Sequence, residues 1–118
     1  MMAAAHPPVA YKIVAAEEWR AALAEGRYDG SAVDRADGYI HMSTEAQLAE
    51  TARKHYAGRS GLRLLTVELA VTGGALKWEA SRGGALFPHL YRDLRLSDVL
   101  WHRPIPLGPQ GHEPGELA

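Results

Sequence analysis

Asp37-Gly38-Tyr39-Ile40-His41-Met42-Ser43-Thr44-Glu45-Ala46-Gln47 passes from a turn through a strand into a helix, and the rest of the chain is read outward from it. Asp37-Gly38 is a turn pair, and Tyr39-Ile40-His41-Met42 is a short strand. Thr44-Glu45-Ala46-Gln47 has capping-box spacing: the Thr44 hydroxyl accepts from the backbone of Gln47, so a helix starts at Glu45. Leu48, Ala52 and His55 or Tyr56 form its inner stripe, and Gly58 ends it. Side chains alternate along a strand, so His41 lies opposite Ile40 and Met42. If those two enter the core, His41 faces a cleft or solvent.

Before this stretch, Tyr11-Lys12-Ile13-Val14 suits a short strand. Ala16 to Glu25 suits a helix with Trp19, Ala22 and Leu23 at helical spacing and Gly26 as a left-handed cap. Between the turn signals Asp29-Gly30 and Asp37-Gly38 an irregular loop is expected. After it, Leu62-Arg63-Leu64-Leu65-Thr66-Val67-Glu68-Leu69 is the clearest strand, with Leu65, Val67 and Leu69 on one face, and it belongs in the centre of a sheet. Leu76-Lys77-Trp78-Glu79 and Phe87-Pro88-His89-Leu90-Tyr91 read as extended segments, and residues 97–103 as a last strand. Residues 1–9 form a loose arm, 10–106 one domain, and 107–118 a Pro/Gly-rich tail; the prolines from Pro104 onward are expected to keep that end out of any sheet. Helices early and strands late give a small α+β domain with a mostly antiparallel split sheet and two main helices.

A chain of 118 residues with 47% apolar content buries one ordinary core and leaves no room for a second domain. The formal charge is -1, so no broad field favours nucleic acid or an anionic membrane, and any anion must be held locally. Nucleic-acid binding gains weight only if Arg53, Lys54, Arg59 and Arg63 share a face. No cysteine is present, which removes disulfides and thiolate chemistry. Met1-Met2-Ala3-Ala4-Ala5-His6-Pro7-Pro8 lacks the pattern of a signal peptide and no apolar run approaches a membrane span, so a cytoplasmic protein with no membrane association is expected.

Three groups of residues carry candidate chemistry. His41, Ser43 and Thr44 sit at a strand-to-helix join, where free helix amides favour a negative group; the same residues also suit a plain capping motif with a satisfied histidine. Trp78-Glu79-Ala80-Ser81-Arg82-Gly83-Gly84 combines adjacent glycines, which let backbone approach a ligand, with the bidentate fork of Arg82. Its plain reading is a hairpin loop with Glu79 and Arg82 paired. His89 and Tyr91 fall on one side of an extended segment, as an acid, base or orienting pair or as core-edge neighbours. The histidines, at 6, 41, 55, 89, 102 and 112, lack metal-ligand spacing, so no metal is expected, and neither a Walker motif nor a G-x-S-x-G elbow is present.

The strings from Asp37 to Gln47, Leu76 to Glu79 and Ser81 to Tyr91 closely resemble the small bacterial family catalogued as domain of unknown function number 952, over about Tyr11 to Pro106. The resemblance implies a fold similar to ADP-ribosyltransferases, a split antiparallel sheet holding nicotinamide dinucleotide (NAD) or an ADP-ribose-like ligand in its cleft. Against that pattern, Lys12 stands where an arginine or histidine usually holds the ribose. Phe87 to Tyr91 offers no acid, and Glu79 is the nearby substitute. The reading that follows is a cleft lined by His41, Ser43, Glu79, Arg82, His89 and Tyr91 that binds a small anionic ligand, a nucleotide or phosphorylated metabolite. Ser43, Thr44, Arg82, Gly83, Gly84 and Tyr91 would bind; His41, Glu79 and His89 would serve any ribosyl or phosphoryl transfer or hydrolysis. The rival is a non-catalytic module on the same fold that senses a metabolite or docks on a protein.

Overall fold

Leu62–Glu68 (β4) is buried on both faces, with Leu64, Leu65 and Val67 wholly shielded, because it is the middle strand of a sheet covered on each side. The computed structural model describes residues 8–81 and 83–117. Around β4 the chain runs β1 (Val9–Ala15), α1 (Ala16–Glu25), β2 (Arg27–Tyr28), α2 (Ala32–Asp37), β3 (Ile40–His41) and α3 (Glu45–His55). It continues through β5 (Leu76–Ser81), β6 (Ala85–Leu90), β7 (Leu94–Arg95), β8 (Val99–Ile105), β9 (Leu107–Gly108) and β10 (Gly111–His112).

One sheet has the order β1-β4-β8 and the other β3-β6-β5; β2 with β7 and β9 with β10 form two small ribbons. Every strand pairing among the described residues is antiparallel. The two main sheets meet at one bridge, Tyr11 to Ser43, closed by Tyr11 N–H to Ser43 O at 2.8 Å and Ser43 N–H to Tyr11 O at 2.9 Å. Leu65 and Val67 pack toward Trp19, Ile40, Met42, Leu90 and Leu94. Leu62 and Leu64 pack the opposite way, toward Ile13, Leu48, Ala52 and Ile105. Each such buried leucine contributes about 1.5–3 kcal/mol relative to exposure, so the two clusters hold α1 and α3 against opposite faces of one sheet.

The expected α+β domain with an antiparallel split sheet is present, and the capping box starts α3 at Glu45 with Gln47 N–H on Thr44 Oγ1 at 3.3 Å. Other expectations need correction. The span between the two Asp-Gly turns is not irregular: Ser31 accepts from the Asp34 amide and Asp34 from the Ser31 amide, a second capping box that nucleates α2. Leu23 is 47% exposed, since Trp19 and Ala22 already fill the face of α1 that meets the sheet. Pro104 lies inside β8, which is tolerated because β8 is an edge strand whose other side needs no N–H. The tail beyond it does pair, as the β9–β10 ribbon, and Leu117 packs against the α3-side cluster. Residues 1–7 of the expected arm lie outside the described residues, and Val9 already belongs to β1.

Candidate functional site

The two sheets part along the outer edge of β1. Tyr11 turns its backbone groups to Ser43, and two residues later the carbonyl of Ile13 accepts instead from the Tyr56 hydroxyl at 3.3 Å. Between these points lies a cleft of about 500 Å³, walled by β1, α2, β3, β6 and the second half of α3.

Its deepest polar feature grows from the α2 capping box. Asp34 is almost fully buried, with its side chain 2% exposed, and its carboxylate accepts from Lys12 Nζ at 2.9 and 3.1 Å and from the Ser31 amide at 2.9 Å. The His41 amide reaches it at 3.0 Å and the His41 ring nitrogen Nδ1 at 2.6 Å. Burial alone would raise the Asp34 carboxyl. The His41 hydrogen bond, the Lys12 charge and the Ser31 and His41 amides outweigh it and hold the group well below the usual carboxylate range. Burial pushes the Lys12 amine below its ordinary value, with Asp34 pulling the other way. The other ring nitrogen of His41, Nε2, lies 2.9 Å from Asp37 Oδ2, so a proton on either nitrogen has a carboxylate facing it.

A second histidine stands beside the first. His41 and His89 are register partners in β3 and β6, with ring centroids 5.5 Å apart. Pro88, which precedes His89, gives up a ladder donor, and its carbonyl accepts from the Met42 amide at 3.1 Å, which locks β6 to the start of the α3 connection. His89 is buried and its Nδ1 meets Glu79 Oε1 at 2.7 Å; the same oxygen accepts from the Tyr91 hydroxyl at 2.8 Å. The His89 hydrogen bond, then that of Tyr91, draws the Glu79 carboxyl below its ordinary value, and the bond to Glu79 pushes the Tyr91 phenol up to about 12. Tyr39 stacks on His89 at 4.1 Å and lies 4.5 Å from His41 and 5.1 Å from Tyr91, filling the space beside both imidazoles.

Of the residues expected to converge, His41, His89 and Ser43 line the cleft. Ser43 is buried and shares a hydrogen bond of 2.8 Å with Thr51 across to α3. Glu79 and Tyr91 do not line the cleft; they stand behind His89 and reach it through the ring. Thr44 is spent on the cap of α3, and the part of α3 that faces the cleft is its later half, at Thr51 and His55, rather than its N-terminus. Gly83 and Gly84 form the β5–β6 turn with φ of 78° and 97°, which accounts for two glycines without a ligand. Arg82 lies outside the described residues.

Sequence reasoning missed Asp34, the group that orders the cleft, and Asp37, the second carboxylate on the His41 ring. The signal is Ser31-Ala32-Val33-Asp34, a capping spacing masked by two flanking Asp-Gly pairs that read as turns. From sequence, Lys12 reads as a residue of the first strand and as a departure from the family pattern. Of the four basic residues considered for nucleic acid, Arg59 lines this cleft, whereas Arg53 lines a smaller cavity between α3 and the β9–β10 ribbon. Asp34 and Asp37 approach His41 at different ring nitrogens, and no group of three metal-ligating side chains converges among the described residues. No helix among the described residues is long and apolar enough to cross a membrane.

A family model described as "Protein of unknown function (DUF952)" matches residues 13–102. The crystal structure of protein CC0527 from Caulobacter crescentus is similar at 52% identity and a TM-score of 0.85, covering 88% of this chain and 91% of that one. The solution structure of the same Caulobacter crescentus protein is similar at 51% identity and a TM-score of 0.80, covering 90% and 91%. No curated protein matches the chain.

Proposed function

The chain belongs to the DUF952 family, and from that premise we propose that its cleft takes a small phosphorylated or nucleotide ligand and moves protons on it with His41 and His89. The observation that carries the reading is the matched pair: two histidines on adjacent strands, each with Nδ1 on a carboxylate, Asp34 at 2.6 Å and Glu79 at 2.7 Å. A carboxylate on Nδ1 orients each ring; in His89 this leaves Nε2 as the atom addressed to a reacting group, whereas Nε2 of His41 faces Asp37 and exchanges that carboxylate for the ligand. Asp34 and Glu79 are positioning residues in this scheme, and the two imidazoles are the acid and base.

Group transfer or hydrolysis at a ribosyl or phosphoryl centre suits such a pair, because one imidazole takes a proton from the attacking oxygen while the other gives one to the leaving group. The ADP-ribosyltransferase resemblance implies a split antiparallel sheet, and two antiparallel sheets joined at the Tyr11–Ser43 bridge support the reading to that extent, so NAD and ADP-ribose are the first ligands to try. Arg82 would serve the anionic part of such a ligand by its bidentate fork. The test is a thermal-shift screen against nucleotides, dinucleotides and phosphorylated metabolites. A ligand present at a hundred times its dissociation constant adds about 2.7 kcal/mol of stability. A shift that His89→Gln abolishes supports the reading; the absence of any shift across the screen moves the fold to the docking-module alternative.

A further inference from the structure

Lys12 is a cleft residue that the proton-transfer scheme leaves without a chemical role. Its side chain is 5% exposed, yet it lines the cleft. A lysine near a surface ordinarily threads its stem outward and keeps the ammonium in water; this one turns inward to Asp34. Net stability does not account for it, since a buried ion pair generally gains little over apolar side chains of the same volume. Its amine also sits on the same carboxylate oxygen, Asp34 Oδ1, as the Nδ1 of His41, so an amine and an imidazole share one proton acceptor at the wall of a cavity.

We propose that Lys12 captures a small aldehyde, including the open-chain form of an aldose phosphate, as an imine within the cleft. The inference rests on the cleft being the ligand site and names the class of carbon it acts on. A ribosyl anomeric carbon is at the aldehyde oxidation level, so the two readings address the same kind of centre. In the step, the Lys12 ammonium gives a proton by way of water in the cleft to His41, Asp34 staying ionised, and the freed Nζ electron pair forms a bond to the carbonyl carbon. The carbonyl π pair moves to oxygen, which is protonated by His41. The Nζ–H proton and the hydroxyl then leave as water while the C=N bond closes. Ammonium plus aldehyde gives protonated imine plus water, with no external oxidant or reductant. Burial, which lowers the Lys12 pKa, enlarges the share of free amine.

The sequence makes the test clean, because its lysines are Lys12, Lys54 and Lys77 alone. Lys54 pairs with Glu50 at 3.6 Å on the outer face of α3, and Lys77 sits over the Tyr91 ring at 5.0 Å, so both serve as internal references outside the cleft. The full chain is treated with limiting glycolaldehyde phosphate, and separately glycolaldehyde, in the presence of cyanoborohydride, and the adduct at each lysine is quantified by peptide mass spectrometry. The expected result is adduct at Lys12 at least about tenfold faster than at Lys54 or Lys77. Lys12→Arg, which keeps a cation opposite Asp34, should lose that adduct with its melting curve little changed, and His41→Gln should slow it. Equal labelling of the three lysines, or labelling confined to Lys54 and Lys77, overturns the proposal. A thermal-shift ligand that binds while Lys12 stays unlabelled sinks the imine and leaves the cleft reading standing. Neither shift nor label sinks both.

Discussion

His41 and His89 face one another as register partners of β3 and β6, 5.5 Å between ring centroids, and each turns Nδ1 to its own carboxylate. The two supports differ in kind. Asp34 is buried at the floor of the cleft and bound also by Lys12 and backbone amides, whereas Glu79 stands on an edge strand, partly in water, with Tyr91 as its second donor. One histidine is therefore held by the core of the fold and the other by its rim.

Removing Asp34 should cost far more than removing its cap. Asp34→Ala strands the Lys12 ammonium in the interior, and breaking a buried pair from one side costs about 3–5 kcal/mol. Ser31→Ala takes away one capping acceptor and should cost about 1 kcal/mol. Urea denaturation of both variants measures the ratio. Equal losses would mean that Asp34 acts only as an α2 cap and that Lys12 finds its counter-charge elsewhere.

The same carboxylate sets a pH dependence whose sign is fixed. Its folded pKa lies below the unfolded value near 3.8, so the unfolded chain binds more protons in that window and folding stability falls as pH drops. The contribution is complete above about pH 5 and is lost as pH falls below about 4 toward the depressed folded value. Stability curves of wild type and Asp34→Asn should therefore converge on acidification from pH 5 to 3. Parallel curves would show that Asp34 titrates normally in the folded protein.

Much of this was legible in the residues. The Thr44 capping box, the Gly26 cap and the central place of Leu62–Glu68 are local or periodic signals, and the structure has them where the sequence puts them. The alternation that turned His41 away from Ile40 and Met42 likewise held, with Ile40 and Met42 in the core and His41 on the cleft wall. What escaped was long-range pairing. That Asp34 would meet Lys12 across 22 residues, or that Glu79 would stand behind His89 rather than in the cleft, depends on how the two sheets part, which no spacing encodes. Leu23 misled because helical spacing gives a face but not its width.

Glu79 and Tyr91 can be separated from the cleft by titration. Tyr91 is raised to about 12 by its hydrogen bond to Glu79, so Glu79→Gln should bring one phenol down toward the ordinary 10 in a spectrophotometric titration, and Tyr91→Phe should delete that same transition. An unchanged high-pH transition in Glu79→Gln would place the cause elsewhere.

Thr44→Ala distinguishes architecture from chemistry. Its hydroxyl caps α3 and does not line the cleft, so the substitution should cost about 1 kcal/mol of stability and leave any ligand-induced shift intact. Loss of the ligand shift in a variant that still folds would return the α3 N-terminus to the site.

The most direct measurement is long-range proton–nitrogen correlation of the histidine rings of the wild-type protein, with and without ADP-ribose or ribose 5-phosphate at millimolar concentration. The account predicts that His89 carries a proton on Nδ1, and that ligand moves the Nε2 signals of His41 and His89 together while those of His102 and His112 stay still. An Nε2-protonated His89 with no response at either ring would contradict it.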